Sequence, residues 1–275
     1  MLLPQDFFDL KDFDHKEIFS KEEAVWTALD RLKDYLATFF QESWPLATIT
    51  GHVDKSLVIY KGEVRDDLEV KASGPKNSIK VSMKGEILKD VAVILPGAYL
   101  FNDTIIIGSG TVVEPGVLIK GPVVIGKDSE IRQGAYLRGD CLVGNGCVIG
   151  HTTEIKGSIT LDGAKAGHFA YIGDSILGKD VNLGAGTKLA NLKIIPGSIS
   201  IRADRKQYDT GRRKLGAILG DRTETGCNSV TSPGTMIGPH SVVLPCVSVP
   251  GGYYPSRTSF IPSQGSLGIY RRGQS

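Results

Sequence analysis

The sequence predicts an all-β protein, a parallel β-helix of hexapeptide repeats preceded by an N-terminal helical segment. Three observations carry this reading. Every sixth residue is aliphatic or Phe from Leu95 through Phe101, Ile107, Val113, Ile119, Ile125, Ile131, Leu137, Val143 and Ile149 to Ile155. Seven of these eleven are followed directly by Gly, Lys-Gly or Arg-Gly. The composition agrees, because 34 glycines with 7% aromatic and 41% hydrophobic residues describe many tight corners around an aliphatic core. An amphipathic helix repeats at about 3.6 residues and a strand at about 2, so a period of six is neither alone. In a β-helix each short strand contributes one inward aliphatic, and each corner takes Gly, Asn or Asp, which tolerate the left-handed backbone. Three hexads then close one triangular coil of about 18 residues, stacking like on like.

Along the chain, residues 1–45 form the N-terminal helical segment. Within it "SKEEAVWTALDRLKDYLATFFQ" predicts a helix over 20–41, with a capping box from Ser20 and Glu23. Val25, Leu29, Leu32, Leu36 and Phe39 or Phe40 make its apolar stripe, which suits packing over the open end of the coil. Residues 46–90 alternate as short strands, "SLVIYKGEV" and "SIKVSMKGEI", leading into the coil proper at 91–250. The register slips by two between Leu161 and Leu177, and resumes at Leu177, Leu183 and Leu189. A polar, basic stretch at about 195–216 then reads as a loop thrown out from the coil, before Leu219, Thr225, Thr231, Ile237, Val243 and Val249 restore the repeat. Residues 251–275 have no period and are expected as a surface tail.

The net charge of +2 gives no basic field for nucleic acid or an acidic membrane. The first residues carry scattered charges and no apolar run suited to a signal peptide or a membrane span. Cys141, Cys147, Cys227 and Cys246 show no zinc-finger or C-x-x-C spacing, so buried fillers in a reduced cytoplasmic setting are expected. His151 and His168 are about one coil apart, but His15, His52 and His240 lie far from them, so no metal is expected. Gly184-Ala185-Gly186 is no phosphate loop, since corners demand Gly in any case.

A coil filled with aliphatics leaves only its faces, its loops and the grooves between copies for chemistry. Arg138, Lys156 and Lys214 suit a phosphate, and His168, outside the repeat phase, is the candidate base or else an inert surface residue. The stretch "AGHFAYIGDSILGKDVNLGAGT" closely resembles the acetyltransferase half of the bifunctional bacterial enzyme that makes UDP-N-acetylglucosamine. The resemblance runs from about Ile107 to Val249. Sugar-nucleotidyltransferase-like relatives also share "NLGAGT", "ANLK", "DTGRRKLGAILGD" and "GCNSVTSPGTMIG".

This resemblance implies a left-handed coil, a closed homotrimer with sites between subunits, and acyl transfer from acetyl-CoA to the amine of an amino-sugar phosphate such as glucosamine-1-phosphate. Residue by residue, it implies that His168 is the catalytic base and that Asn191 is an amide near the acyl group. Arg138, Glu154, Lys156, Tyr171, Asn182 and Lys214 match substrate-binding positions. Ala185 and Gly186 match the thioester end, and Cys227 and Pro245 stand where the family has a serine and a small residue. Other departures are Leu192 in place of an aromatic, and about seventeen extra residues between Asn191 and Lys214. The nucleotidyltransferase half has no counterpart in residues 1–90, so any nucleotidyl transfer is expected to be another protein's work. The alternative is a non-catalytic module that binds a sugar phosphate or nucleotide sugar.

Overall fold

A computed structural model describes residues 2–41, 44–72, 79–203, 206–263 and 266–271. It is a three-sided parallel β-helix. The first coil runs Ala92–Ile94, Tyr99–Leu100 and Ile105–Ile107, and these open its first, second and third faces. The third face stacks 8 strands, each parallel to its neighbours.

Inside, the hexad residues stack in three columns. Ile119, Ile125, Ile131, Leu137, Val143, Ile149 and Ile155 are all buried in one continuous core. At the first coil the phase differs from the sequence reading. Val113 pairs with Ile94 and Ile119 with Leu100, so Ile94 and Leu100 point inward where Leu95 and Phe101 were expected. The extra residue is absorbed at the corner after Leu100, and Phe101 is left 57% exposed. The two-residue slip near Leu161 is two separate deletions. The inward series is Ile155, Thr160, Ala166, Ile172 and Leu177, each one coil-register partner of the residue before it on the same face. Each deletion falls at the corner between second and third faces, where Gly157 and Asp174 take positive φ.

The third face differs from the others on its outside. The residue before each inward aliphatic is apolar there: Val124, Leu142, Ile159, Ile176, Ile218 and Met236. On the first face the same position mixes valines (Val112, Val148, Val242) with Glu130, Lys165, Asn182 and Glu224. Helix α1, Thr27–Thr38, lays Leu29, Leu32 and Leu36 on this apolar outer row. It therefore covers a face, not the open end of the coil. It also begins later than Ser20. The Val25 N–H donates to the Leu2 carbonyl (2.9 Å), which holds the preceding residues in a turn. The Ser20–Glu23 box does not form, and Glu23 pairs with Arg31 instead. The open end is closed by Leu46 and by strands Gly51–His52 and Leu57–Tyr60, which add antiparallel to the first coil.

The excursion leaves after Lys188–Leu189 and returns at Ala217–Leu219. It is not thrown clear of the coil. Its hairpin, Ser200–Ala203 with Lys206–Asp209, buries Ile199, Ile201 and Ala203 in the same cluster as α1, and Arg212 pairs with Asp30. Leu192, Ile194 and Ile195 remain exposed. Past residue 250 the coil continues through Gly252–Tyr254 and Thr258–Ser263, where a tail was expected. The Phe260 ring, wholly buried, lies 4.8 Å from that of Tyr254. Cys141 and Cys147 are buried fillers, whereas Cys227 and Cys246 are exposed, because they sit at corners. Among the described residues no helix is long and apolar enough to cross a membrane.

Thr231 occupies an inward position between Leu189 and Val249, and its hydroxyl has no partner among the described residues. An orphaned buried hydroxyl costs about 1–3 kcal/mol, while an apolar group of the same shape does not. Thr231→Val is therefore expected to raise the urea midpoint, by about 1 kcal/mol of unfolding free energy. A lowered midpoint would mean that the hydroxyl is satisfied after all.

Candidate functional site

The corner between the first and second faces sets one part of the site. His151 and His168 are register partners on successive coils. The register that aligns Ala166 with Leu183 puts Ala185 next to His168, and the pairings of Leu183 with Thr225 and of Thr225 with Val243 continue the column through Cys227 to Pro245. Four of the sequence-derived residues thus lie in one line, about 4.8 Å apart per coil. Their carbonyls are held by the coil above. His168 O accepts from Gly186 N (3.0 Å), Ala185 O from Asn228 N (2.8 Å) and Cys227 O from Cys246 N (2.9 Å).

The N–H groups around this corner divide into engaged and free ones. Gly184 N–H is spent on Thr225 O (2.8 Å) and Gly186 N–H on His168 O. Among the described residues the N–H groups of Ala185 and Cys227 make no hydrogen bond, so both are left for a ligand. Gly184 is required by close approach, since a Cβ there would stand 2.5 Å from the Gly226 backbone. The His168 side chain is exposed, and no side chain or carbonyl among the described residues hydrogen-bonds its ring.

A second group lies on the adjoining second face. Arg138 donates to Glu154 (2.5 Å) and stacks over the Tyr136 ring (5.8 Å). Glu154 in turn raises the guanidinium pKa further above its ordinary value. Lys156 Nζ donates to Asp174 Oδ2 (2.8 Å), and the Asn191 amide donates to the same oxygen. Tyr171 OH donates to Asn191 Oδ1 (3.4 Å). Gly173 makes room for both, because a Cβ there would be 2.7 Å from Tyr171 OH and from Asn191 Nδ2. Lys214 is brought alongside by the closed neck of the excursion, where Leu192 bridges to Lys214 and Leu215 N donates to Asn191 O (3.0 Å).

The structure therefore brings Arg138, Glu154, Lys156, Tyr171, Asn191 and Lys214 together along the second face, with Lys156, Asp174 and Asn191 toward its corner with the third face and the His168 column at its other corner. It separates two residues from their expected neighbours. Asn191 is tied to Tyr171 and Asp174, not to His168. Asn182 points out from the first face between Lys165 and Glu224. Asp174 was not anticipated. As an Asp at a positive-φ corner it looks like Asp128, Asp140 and Asp180, and only its place one coil beyond Lys156 distinguishes it.

Two predictions follow from these contacts. Asp174→Ala leaves the Lys156 ammonium, only 19% exposed, without its carboxylate. Breaking such a pair from one side costs about 3 kcal/mol, read as a shifted denaturation midpoint, and adding Lys156→Met recovers part of it. The thiols divide as well. Burial pushes Cys141 up to about 12 and Cys147 up to about 11 from 9.0. Both stay neutral where an unfolded thiol ionises, so stability falls as pH rises above 9.0. An aromatic disulfide reagent at pH 8 is expected to modify Cys227 and Cys246 rapidly and the other two only after denaturation. Four equally fast thiols would contradict the burial assignment.

Comparison with known proteins gives a consistent set. Residues 119–207 match the family described as the GMPPB C-terminal domain. The uncharacterised acetyltransferase YaiX of Escherichia coli K12 is 34% identical over 193 residues, covering 68% of this chain and 82% of that protein. The bifunctional protein GlmU of Methanococcus aeolicus is 37% identical over 164 residues, 60% of this chain and 38% of its own length. A bifunctional sugar-1-phosphate nucleotidylyltransferase/acetyltransferase of Sulfurisphaera tokodaii is 40% identical over 97 residues, 35% of this chain and 24% of its own length. The chain thus spans only a quarter to two fifths of these two bifunctional relatives.

Proposed function

This chain belongs to the hexapeptide-repeat acetyltransferases, with the left-handed β-helix of that family, and we propose that it moves an acetyl group from coenzyme A to the amine of an amino-sugar phosphate such as glucosamine-1-phosphate. The observation that carries the proposal is the corner column, in which the exposed imidazole of His168 stands one coil from the unpaired N–H of Ala185, with the Arg138–Lys156–Lys214 group on the second face that the chain enters next.

In this reading the cations take the sugar phosphate and aim the amine at the thioester. The amine nitrogen bonds to the carbonyl carbon while His168 accepts its proton. The carbonyl oxygen becomes an oxyanion that receives the Ala185 N–H. The C–S bond then breaks, and the coenzyme A thiolate takes the proton back from His168. Asp174 holds Lys156 and Asn191, and Asn191 in turn orients Tyr171. Acetyl-CoA is the co-substrate, with Ala185, Gly186, Cys227 and Pro245 along its approach, and no metal enters the reaction.

Asn182, facing away from this cluster, supports a homotrimer in which the first face of one copy completes the site of the next. A separate nucleotidyltransferase would use the acetylated product. The setting this requires is a reducing compartment that holds acetyl-CoA, such as the cytoplasm. Cys227 and Pro245 favour the alternative of a sugar-phosphate sensor, since both depart from the family at the coenzyme end.

Thiol release from acetyl-CoA with glucosamine-1-phosphate separates the two. His168→Ala is expected to lower turnover by about 100-fold or more while leaving sugar-phosphate binding intact. Binding without turnover in the wild type would favour the sensor.

A further inference from the structure

His151 is not needed by the proposed chemistry, yet it is the column neighbour of His168. Its Nδ1 lies 2.9 Å from the carbonyl oxygen of Gln133. A carbonyl only accepts, so Nδ1 carries the proton of this bond and the neutral ring presents Nε2 as a lone pair. The Phe169 ring stands edge-on to His151 at 5.3 Å and tilted to His168 at 6.1 Å, flanking both imidazoles.

His168 needs such an acceptor. To act as a base with one nitrogen, it must have the proton on the other nitrogen held in place. On its far side in the column stands Ala185, which offers no side-chain acceptor. Lys165, on its own strand, can only donate. Glu130 is committed to Arg132 and Glu114 to the Gln133 N–H, and Glu224 on the same face stands two coils from Lys165.

We propose that His151 is the positioning residue of the site: anchored at Nδ1 by the Gln133 carbonyl, it offers Nε2 to the non-basic N–H of His168 and so selects the tautomer in which His168 takes the substrate proton. The inference rests on the acetyltransferase reading for its purpose, but not for its geometry. No hydrogen bond joins the two rings among the described residues, and the link forms through one water or by rotation of the exposed His168 side chain. As His168 becomes imidazolium, its hydrogen bond to the Nε2 lone pair of His151 strengthens.

Two variants separate the functions of the His151 ring. His151→Gln places an amide oxygen near the position of Nε2 and keeps the acceptor. His151→Asn keeps a donor toward Gln133 but has nothing at Nε2. Long-range proton–nitrogen spectra of the full chain, labelled at histidine, read the His168 tautomer directly. Wild type and His151→Gln are expected to show one dominant His168 tautomer, and His151→Asn a mixture like that of free imidazole.

In the same preparations kcat falls roughly 10- to 100-fold in His151→Asn, the scale seen when the partner behind a working imidazole is removed. KM for the amino-sugar phosphate changes little, and His151→Gln recovers most of the loss. A His168 tautomer that is already mixed in wild type, or unchanged in His151→Asn, overturns the proposal. If no acetyl transfer occurs in any form, the spectra still decide the positioning, and only the acetyltransferase reading fails.

Discussion

The rest of the structure depends on the hydrogen bonds between successive coils. Each strand spends its N–H and C=O groups on the coils above and below, so neighbouring coils stay about 4.8 Å apart. Under this constraint a residue can be gained or lost only at a corner. The extra residue after Leu100 and the two deletions at Gly157 and Asp174 all obey it. So does the whole excursion, whose ends are pinched together by the Leu192–Lys214 bridge before the chain re-enters at Ala217. The same constraint converts spacing into position. Side chains one coil apart are neighbours whatever lies between them, and the His151–His168–Ala185–Cys227–Pro245 column follows from this.

The interior was the most legible part of the sequence. An inward aliphatic at every sixth residue is the direct result of one buried side chain per strand, and the pattern holds from Ile107 to Ile155. The outside of the coil was harder to read, because its signal has the period of a whole coil. Val124, Leu142 and Ile159 look like ordinary strand residues until they are compared a full turn apart. Reading that longer period would have sent α1 to the third face instead of the open end. The helix start was misread for another reason. Ser20 and Glu23 form a good local capping signal, but a long-range hydrogen bond from Val25 to Leu2 outweighs it. Tyr254 and Phe260 continue the inward series after Val249 and were hidden because one residue is deleted between Val249 and Tyr254, as at the earlier corners, which shifts the phase.

The site shows the same division. Arg138, Lys156 and His168 stood out because the resemblance matches them to site positions, not because cations are rare on the coil, which also carries Lys120, Arg132, Lys165 and Lys188. Asp174 did not, because corners take Asp anyway. Its presence changes the electrostatics of the cluster. Arg138 and Lys156 are each paired to a carboxylate, and Lys214 alone has no such partner among the described residues. A phosphate arriving there does not meet three bare cations. It meets oriented donors whose positions are already fixed by Glu154 and Asp174, with one cation in excess. Such an arrangement trades raw attraction for geometry, which is what aiming an amine at a thioester requires.

The coenzyme end can be judged on the same terms. A residue in the corner column does not use its own N–H in the ladder, since the N–H groups of Ala185 and Cys227 are both unpaired among the described residues. Proline at position 245 therefore costs the coil nothing. What it removes is an outward donor, at the last corner of the column. Cysteine at 227 likewise leaves the backbone undisturbed and changes only what a ligand would touch. Because the fold is indifferent to both residues, their effect falls entirely on the molecule that binds along the column. The sugar end, by contrast, is locked by Asp174, Gly173 and Asn191, where a change would disturb packing and pairing together. The two ends of the proposed site are thus under different physical constraints, and the freer end is the one that departs from the family pattern.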